Sequence, residues 1–186
     1  MAARLQDRGL MLTLRTPRLE LVAATYELID AQLHDSRRCE AMLGGRLPEG
    51  WPPELTEDVW EYTARQLLDP AAAGWWMWYF VRHRPGARVA VGSGGFKGPP
   101  APDGTVEVGY SVMAQHRRAG YATEAVRALA DWAFGTGRVA RVVAHTYPHL
   151  VASIGVLEKL GFVKSGPGGD QGTVRYELER APAGAG

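Results

Sequence analysis

Residues 117–124 read Arg-Arg-Ala-Gly-Tyr-Ala-Thr-Glu, and they decide the fold because they join a strand-like run to the clearest helical pattern in the chain. Before them, residues 106–112 alternate as a β-strand does. After them, residues 123–134 repeat apolar side chains at the spacing of an amphipathic helix. The first N–H groups of a helix lack partners inside it and lie at the positive end of its dipole. With Gly120 and Ala122 leaving room for a ligand, the stretch predicts a pyrophosphate site.

Two simpler interpretations of this stretch stay open. An ordinary turn also contains small residues, and Arg117 and Arg118 also fit a solvated pair of surface cations. The loop by itself supports the turn as well as it supports the ligand site. Its neighbours in the sequence therefore have to decide between them.

The composition is that of an ordinary globular protein. The chain has 186 residues, of which 46% are hydrophobic and 22% charged, and this length is typical of one domain. Its 21 basic and 20 acidic residues give a net charge of +1, which gives no support for a nucleic-acid-binding face or a polybasic membrane anchor. No apolar run approaches the ~18 residues that a membrane helix requires. We therefore expect neither nucleic acid nor a membrane as a partner.

Cysteine and histidine usage excludes disulfides and the common metal sites. Cys39 is the single cysteine, so an internal disulfide and a multi-cysteine zinc site are excluded. One thiol fits a reducing compartment, and we expect a cytoplasmic protein. His145 and His149 fall on a predicted strand and loop, without the spacing of a metal site. We therefore expect no metal ion.

The order of the predicted elements indicates an α/β fold with a mixed central sheet. About seven strands and about four helices follow in the order β-α-α-β-β-β-α-β-α-β-β, which predicts helices on both sides of the sheet. Residues 75–82 are apolar on both faces, as expected of a strand covered from both sides. We expect one domain over residues 11–180, a flexible tail over 1–10 and a disordered tail over 181–186. The predicted strands are 18–23, 75–82, 89–96, 106–112, 139–146, 162–165 and 173–178, and the helices are 25–34, a segment from Thr56 or Asp58 to about Leu68, 123–134 and 152–160.

Several motifs around the quoted stretch carry a family resemblance. Arg117-x-x-Gly120-x-Ala122, between a strand and a helix, resembles the acyl-CoA pyrophosphate loop of the GNAT superfamily of N-acetyltransferases. Residues 107–112 (Glu-Val-Gly-Tyr-Ser-Val) resemble the family's strand four, and residues 152–162 (Ala-Ser-Ile-Gly-Val-Leu-Glu-Lys-Leu-Gly-Phe) resemble the motif that closes over the pantetheine arm. Residues 16–21 (Thr-Pro-Arg-Leu-Glu-Leu) resemble the opening of the branch that acetylates ribosomal protein N-termini. The resemblance covers about residues 14–179.

The resemblance implies a single-domain GNAT-like fold whose fourth and fifth strands splay apart, with acetyl-CoA as co-substrate in the gap. It implies that the Ser111 N–H faces the thioester carbonyl as a small oxyanion hole, and that the Met113 backbone bonds to the pantetheine amides. The implied activity is acetyl transfer to a primary amine by direct attack in a ternary complex. The residues implied to bind acetyl-CoA are Ser111, Val112, Met113, Arg117, Arg118, Ala119, Gly120, Tyr121, Ala122 and Ser153.

Such a reaction requires a neutral amine. Deprotonating a free α-amine, with a pKa of about 8, costs only about 1.4 kcal/mol at pH 7, whereas a lysine amine costs about 4–5 kcal/mol. Glu107 is the candidate base, because related enzymes often place a base on this strand, sometimes acting through water. The alternative is a strand glutamate that bonds to neighbouring backbone. Together with Glu107, the candidate catalytic residues are Ser111 and Ser153.

The chain departs from the family pattern at two positions. Leu150 stands where the closing motif usually begins with Asn, and Leu157 stands where a Tyr often protonates the leaving thiolate. Ser153 is then the remaining candidate to donate that proton or to hydrogen-bond the thiol. It also fits a simple helix N-cap. Tyr147 and His149, in the adjoining loop, are weaker alternatives.

The acceptor is predicted to bind between the loops at residues 44–54 and 166–172, with Trp51 as a wall. Carboxylates are scarce there, since only Glu49, Glu54 and Asp170 occur. The scarcity disfavours a polyamine or aminoglycoside and slightly favours a peptide N-terminus or a weakly charged small-molecule amine. The protein is expected to be a monomer or homodimer. The alternative function is a non-catalytic acyl-CoA-binding module, which the leucines at the two altered positions make plausible.

Overall fold

The computed structural model describes residues 4–8, 11–53, 59–84 and 87–180. Within them a nine-stranded sheet contains β1 (Arg4–Arg8), β2 (Met11–Arg15), β3 (Leu19–Ala23), β4 (Met77–Arg84), β5 (Ala87–Phe96), β6 (Thr105–Val112), β7 (Arg141–Thr146), β8 (Val163–Pro167) and β9 (Val174–Glu179). The strands lie in the order β1-β2-β3-β4-β5-β6-β7-β9-β8. Only β6 and β7 are parallel among these neighbours, and the others are antiparallel. The sheet is therefore mixed, as the sequence predicted.

Five α-helices in the described part of the chain cover the two faces of the sheet: α1 (Tyr26–His34), α2 (Ser36–Leu43), α3 (Val59–Gln66), α4 (Tyr121–Gly135) and α5 (Val151–Lys159). On one face, Leu129 of α4 and Leu157 of α5 share a buried core with Phe80 of β4. On the other face, α1–α3 form a second core that includes Tyr79. Because side chains alternate along a strand, adjacent residues of β4 enter different cores. This confirms the prediction that the strand is covered on both faces.

The parallel contact between β6 and β7 is short, and the two strands separate beyond it. Pairing covers residues 105–107 of β6 and 141–143 of β7. Past this point β6 stays paired with β5 as far as Val112, while β7 stays paired with β9 as far as Thr146. The sheet therefore opens into a cleft between residues 108–112 and 144–146. These are the fourth and fifth predicted strands, so the predicted splay is confirmed.

The N-terminal half holds three elements that the sequence did not predict, namely β1, β2 and α2. Residues 4–8 pair along their whole length with β2, so the segment predicted as a flexible tail contains a strand. The sequence of β1, Arg-Leu-Gln-Asp-Arg, lacks apolar alternation, which is common for an edge strand. For α2, the Asp35 side chain accepts from the Arg38 N–H at 3.1 Å and caps the helix directly after α1. The predicted caps Thr56 and Asp58 and the tail 181–186 lie outside the described residues.

The helix α4 is anchored by its apolar face and begins close to the cleft. Its predicted apolar stripe is buried, including Val126, Leu129 and Ala133, each 0% exposed. A short 3₁₀ turn over Ala114–His116 connects β6 to the loop that precedes α4. The firm packing therefore fixes the start of the helix beside the end of β6. None of the helices in the described part of the chain is long and apolar enough to cross a membrane.

Candidate active site

The register between β5 and β6 decides which backbone groups of β6 face the cleft. In an antiparallel pair, facing residues alternate between exchanging two hydrogen bonds and exchanging none. The Lys97 N–H donates to the Glu107 carbonyl at 3.0 Å, and the Met113 N–H donates to the Val91 carbonyl at 2.9 Å. The register between them is continuous, so the odd-numbered residues of β6 bond to β5. The backbone groups that point toward the cleft are those of Val108, Tyr110 and Val112.

This register corrects two of the predicted acetyl-CoA contacts. Ser111 faces Ser93 in a hydrogen-bonded pair, so its N–H is used inside the sheet and is not available as an oxyanion donor. The Met113 N–H is bonded to β5, and its carbonyl accepts the N–H of His116 at 2.8 Å. Val112 keeps its predicted place at the cleft. The resemblance does not specify which residues of β6 bond to β5, so sequence reasoning had no signal for this alternation.

The loop before α4 presents backbone N–H groups at the end of the cleft. Gly120 is the N-cap with φ 79°, and no side chain caps the helix. The first bond within the helix runs from the Glu124 N–H to the Gly120 carbonyl at 3.1 Å. The N–H groups of the first turn therefore have no partner within the helix. Because residues 117–120 are exposed, an anion can approach these donors.

The two arginines of the loop have different environments. The Arg117 Nε donates to the Val112 carbonyl at 3.0 Å, which fixes the guanidinium at the end of β6. This contact argues against the interpretation of Arg117 as a merely solvated cation. Its own N–H donates to the Ala114 carbonyl at 3.3 Å, so the donors for an anion begin after it. Arg118 is exposed and has φ 59°, a value that residues other than glycine rarely adopt.

Arg18 contacts both the loop before α4 and the first turn of that helix. It donates from Nε to Glu124 Oε2 at 2.6 Å and from Nη1 to the Ala119 carbonyl at 2.8 Å, and it lies 4.9 Å from the ring centre of Tyr121. The Thr16 hydroxyl donates to Glu124 Oε1 at 2.5 Å. Burial by itself would raise the pKa of Glu124, but the hydrogen bonds from Thr16 and Arg18 outweigh it and lower the pKa. Residues 16–21, which the resemblance had marked, thus hold the start of α4.

Glu107 stands at the fork where β6 and β7 separate. Its neighbours Val106 and Val108 belong to the core under α4, so its side chain lies on the opposite face of the sheet. There Glu107 Oε1 forms an ion pair with Lys97 Nζ and lies 3.3 Å from His145 Nδ1. The Glu107 side chain is 22% exposed. The carboxylate therefore contacts ionisable side chains and remains accessible. Among the described residues it makes no hydrogen bond to neighbouring backbone, which was the alternative.

His145 is a site residue that sequence reasoning missed, because it considered His145 only as a metal ligand and rejected that role. Its side chain is 15% exposed, and its Nε2 is buried without a hydrogen-bond partner among the described residues. The ring lies under the loop between β8 and β9, since a Cβ on Gly169 would be 3.5 Å from His145 Cε1. The pairing of β6 with β7 would have indicated this contact, because His145 lies two residues beyond the partner of Glu107.

The two loops predicted to bind the acceptor flank the cleft from opposite sides. On the β6 side, a Cβ on Gly50 would be 3.9 Å from Met113 Cε. On the β7 side, a Cβ on Gly172 would be 3.9 Å from Tyr147 Cε1. Glu54, one of the few predicted carboxylates of the first loop, lies outside the described residues. The structure thus brings these distant loops to the two walls of one cleft.

Trp51 is held firmly in the first of these loops. Its indole N–H donates to Gln32 Oε1 at 2.9 Å. Its ring stacks on Tyr79 with the ring centres 5.9 Å apart and the planes at 15°. The side chain is therefore a rigid part of the loop that reaches Met113. Sequence reasoning singled out Trp51 but had no signal for Gln32 as its partner.

Ser153 lies in the first turn of α5 and contacts β6. The N-cap of α5 is Leu150, with no side-chain cap, and the Ser153 N–H donates to the Leu150 carbonyl at 2.9 Å. Ser153 is therefore not the N-cap that sequence reasoning had allowed. Its Oγ lies 3.2 Å from the hydroxyl of Tyr110. The exposed loop residues Tyr147 and His149 stack on each other at 5.5 Å.

The comparison with known proteins agrees with this geometry. Residues 11–163 match the family model described as the Acetyltransferase (GNAT) domain. This chain belongs to the GNAT acetyltransferase family. The uncharacterized N-acetyltransferase YjdG of Bacillus subtilis (strain 168) is 30% identical to it over 154 residues, which are 82% of this chain and 90% of that protein. The family and the enzyme class that the sequence predicted, an N-acetyltransferase, are thereby confirmed.

Solved structures share the fold of this GNAT acetyltransferase. The ribosomal-protein-S5-alanine acetyltransferase from Vibrio fischeri superposes with a TM-score of 0.60 at 19% identity, covering 90% of this chain and 96% of that one. RimL, a ribosomal L7/L12 alpha-N-protein acetyltransferase solved with coenzyme A, superposes with a TM-score of 0.57 at 18% identity, covering 88% and 95%. At these identities the likeness shows the fold.

Two family positions in this GNAT acetyltransferase hold leucine, and the structure shows their environments. Leu157 is 0% exposed and belongs to the core under α4, so neither a proton nor a hydrogen bond comes from it. Leu150 is 38% exposed and precedes α5. In the part of the chain that the structure describes, no group of three or more His, Cys, Asp or Glu side chains is placed to hold a metal ion.

Proposed function

We propose that this GNAT acetyltransferase moves the acetyl group of acetyl-CoA to a primary amine by direct attack in a ternary complex. One observation carries the proposal. The Glu107 carboxylate stands at the closed end of the cleft, and the uncapped N-terminus of α4 stands at the open end. A carboxylate able to accept a proton and N–H groups able to bind an anion at the two ends of one groove support acyl transfer from a pyrophosphate-bearing donor.

Groups along the whole length of the cleft can bind acetyl-CoA, the acetyl donor. The first-turn N–H groups of α4 bind the pyrophosphate, and Arg117 holds a positive charge beside them. The N–H groups of Tyr110 and Val112, which the register directs into the cleft, replace Ser111 as donors to the thioester carbonyl. When bound there, acetyl-CoA supplies the activated acetyl group. The residues proposed to line its site are Tyr110, Val112, Arg117, Arg118, Ala119, Gly120, Tyr121, Ala122 and Ser153.

Glu107 acts as the base that accepts the proton of the acceptor amine, directly or through water. Its carboxylate already attracts one ammonium group, that of Lys97, and the incoming amine approaches the same face of the sheet. An α-amine is the more accessible acceptor, because its deprotonation at pH 7 costs only about 1.4 kcal/mol, against about 4–5 kcal/mol for a lysine amine. We therefore propose a peptide N-terminus or a weakly basic small-molecule amine as acceptor, in the cytoplasm.

A screen of acceptors tests the proposal. The purified protein is incubated with acetyl-CoA and a panel of N-terminal peptides, polyamines and small amines, after thermal-shift measurements have selected the candidates that stabilise it. Thiol release and mass spectrometry then report whether an acceptor gains one acetyl group. We expect transfer to at least one α-amine, faster than thioester hydrolysis. If acetyl-CoA binds and no amine is acetylated, the chain is the non-catalytic acyl-CoA-binding module instead.

A further inference from the structure

Tyr110 links β6 to α5 across the cleft. It lies past the fork, on the part of β6 that no longer pairs with β7. Its hydroxyl is 3.1 Å from the Ser153 carbonyl oxygen and 3.2 Å from Ser153 Oγ. The ring is half-buried and packs against the core under α4. A side chain of the strand therefore reaches the helix at the point where the sheet itself is open.

We propose that Tyr110 is a positioning residue for the thiol end of the cofactor site: it orients the Ser153 hydroxyl so that this hydroxyl donates a hydrogen bond to the sulfur. This inference rests on the proposed function and extends it to a residue that the resemblance does not assign. It also explains how the thiolate can be stabilised although Leu157 stands where the family often has a Tyr, since the Leu157 side chain is 0% exposed and has no hydrogen-bond donor.

The hydrogen bonds open to the two hydroxyls explain how Tyr110 orients the Ser153 proton. Each hydroxyl has one donor and two acceptor lone pairs. When Tyr110 donates to the Ser153 carbonyl, the Ser153 hydroxyl has the Tyr110 oxygen as its acceptor. When Tyr110 donates to Ser153 Oγ instead, the Ser153 proton is free to point to the sulfur. The two arrangements differ in which oxygen Tyr110 donates to and in where the Ser153 proton points. In the second arrangement Ser153 accepts a hydrogen bond from Tyr110, and a hydroxyl that accepts a hydrogen bond is the better donor.

The environment of Tyr110 keeps it in the donor form. Burial raises the pKa of Tyr110, and the hydrogen bond with Ser153 offsets only part of that effect. The phenol therefore stays protonated at about pH 8, where an α-amine becomes neutral.

The transfer step balances without consuming either hydroxyl. The amine nitrogen forms a bond to the acetyl carbon, the C–S bond breaks, and its electron pair goes to sulfur. The amine proton passes to Glu107. The thiolate accepts a hydrogen bond from Ser153 until solvent protonates it, and Tyr110 supports Ser153 throughout.

Binding measurements with and without the sulfur test the pair. Calorimetry compares coenzyme A with desulfo-coenzyme A, which lacks the thiol, on the wild type, Tyr110→Phe, Ser153→Ala and the double variant. We expect the preference for coenzyme A to fall about threefold to tenfold in Tyr110→Phe, the range of one hydrogen bond. The double variant should lose no more than Ser153→Ala, because Tyr110 acts through Ser153. Tyr62→Phe, which removes an exposed phenol on α3, is the matched control and should match the wild type.

Kinetics with an identified acceptor give a second readout. Tyr110→Phe should lower kcat by a similar factor while leaving the KM for acetyl-CoA nearly unchanged. A Tyr110→Phe variant with wild-type preference for the thiol, or a loss that adds to that of Ser153→Ala, overturns the proposal. The same holds if the wild type itself does not distinguish the two ligands. If the wild type acetylates no amine but Tyr110→Phe still loses the preference for coenzyme A over desulfo-coenzyme A, the role of Tyr110 and Ser153 is supported and the proposed acetyl transfer is wrong.

Discussion

Glu107 ends the paired part of β6, and its carboxylate therefore stands where the sheet divides. Lys97, which directly follows β5, and His145 of β7 approach the same oxygen from either side. A carboxylate in this position is anchored by its neighbours yet open to a further amine. Whether Glu107 accepts the proton of the amine can therefore be tested with a single substitution.

Replacing Glu107 with Gln keeps the shape of the side chain but removes its basic lone pairs. We expect the transfer rate to fall by about 10² to 10⁴, the usual range for loss of a general base, with acetyl-CoA affinity nearly intact. The acidic limb of the pH–rate profile should shift, because the group proposed to accept the proton is gone. Steady-state kinetics from acidic to alkaline pH, together with calorimetry for acetyl-CoA, measure both effects.

A matched variant separates this effect from the loss of an ordinary ion pair. Glu177→Gln removes a half-buried carboxylate that pairs with Arg175 on β9, and it should leave the profile unchanged. Should Glu107→Gln retain more than about a tenth of the wild-type rate below neutral pH, the base assignment is wrong. A merely structural Glu107 would instead give a lower melting temperature and a modest loss that does not depend on pH.

The sequence predicts some of these single residues and not others, for a physical reason. Glu107 follows from a strand pattern and a resemblance, which are both local. The shift from Ser111 to its neighbours depends on which residues of β6 bond to β5, and this register arises from the whole hairpin. The contacts of Glu107 with Lys97 and His145 join three strands, so they need the strand order as well.

At the scale of elements, α4 is the best predicted part because its apolar stripe is long and regular. The anion site proposed at the start of α4 depends on Gly120, which has φ 79°. Glycine places no side chain between the first-turn N–H groups and a ligand. In Gly120→Val, a β-branched residue is forced into this conformation at about 1–3 kcal/mol of strain, and its Cβ would lie 3.3 Å from Arg18 Nη2. We expect calorimetry to detect no acetyl-CoA binding.

The control for this variant is Gly135→Val at the other end of α4. A Cβ at Gly135 meets nothing within 4 Å, so this variant should bind as the wild type does after correction for stability. Wild-type affinity in Gly120→Val would show that the cofactor site lies elsewhere.

The brace between Arg18 and Glu124 predicts a dependence of stability on pH. The pKa of Glu124 is lowered in the folded protein from its ordinary value of 4.5. A lowered pKa means that the stabilisation is fully present above about pH 4.5 and is lost as the pH falls through the folded-state value. Urea unfolding should therefore show Glu124→Gln to be less stable than the wild type at neutral pH, with the difference shrinking in acid. A loss of stability that is equal at all pH values would contradict this prediction. The control is Glu158→Gln, which changes an exposed glutamate of α5 and should be as stable as the wild type at every pH.

The elements that escaped prediction are those whose existence depends on partners. The strand β1 has a polar sequence, and it is a strand because β2 pairs with it along its whole length. The helix α2 follows α1 with only Asp35 between them, so no loop-like break in the sequence marks its start. Local periodicity identifies amphipathic elements, and neither of these segments has a clear one.

At the scale of the whole molecule, the folding of the chain brings residues 44–53 and 168–172 to opposite sides of one cleft. The prediction that these two loops share a site came from the resemblance. No local pattern contains it, because the loops lie more than a hundred residues apart. The structure supplies the contacts that connect them to the site, through Met113 on one side and His145 on the other.

Trp51 tests the acceptor end of this arrangement. Trp51→Ala removes the stack on Tyr79 and the bond to Gln32, so the loop beside Met113 loses its anchor. We expect a higher KM for the amine and a nearly unchanged affinity for acetyl-CoA, whose proposed pyrophosphate site lies at α4. Trp51→Phe, which retains an aromatic stack, should recover part of the loss. An unchanged KM for the amine in Trp51→Ala would remove Trp51 from the site.

The divided sheet also affects the colloidal behaviour of the protein. Strands β6 and β7 lie in the middle of the sheet, yet beyond the fork each presents an edge that pairs with no other strand of the described residues. Unpaired edges are templates on which other chains can add a strand. A ligand that lies along the cleft covers both edges, so coenzyme A should suppress aggregation during slow heating, as followed by light scattering. The ligand-free protein would then depend on its substrate to remain monodisperse, and aggregation onset that is the same with and without coenzyme A would count against this.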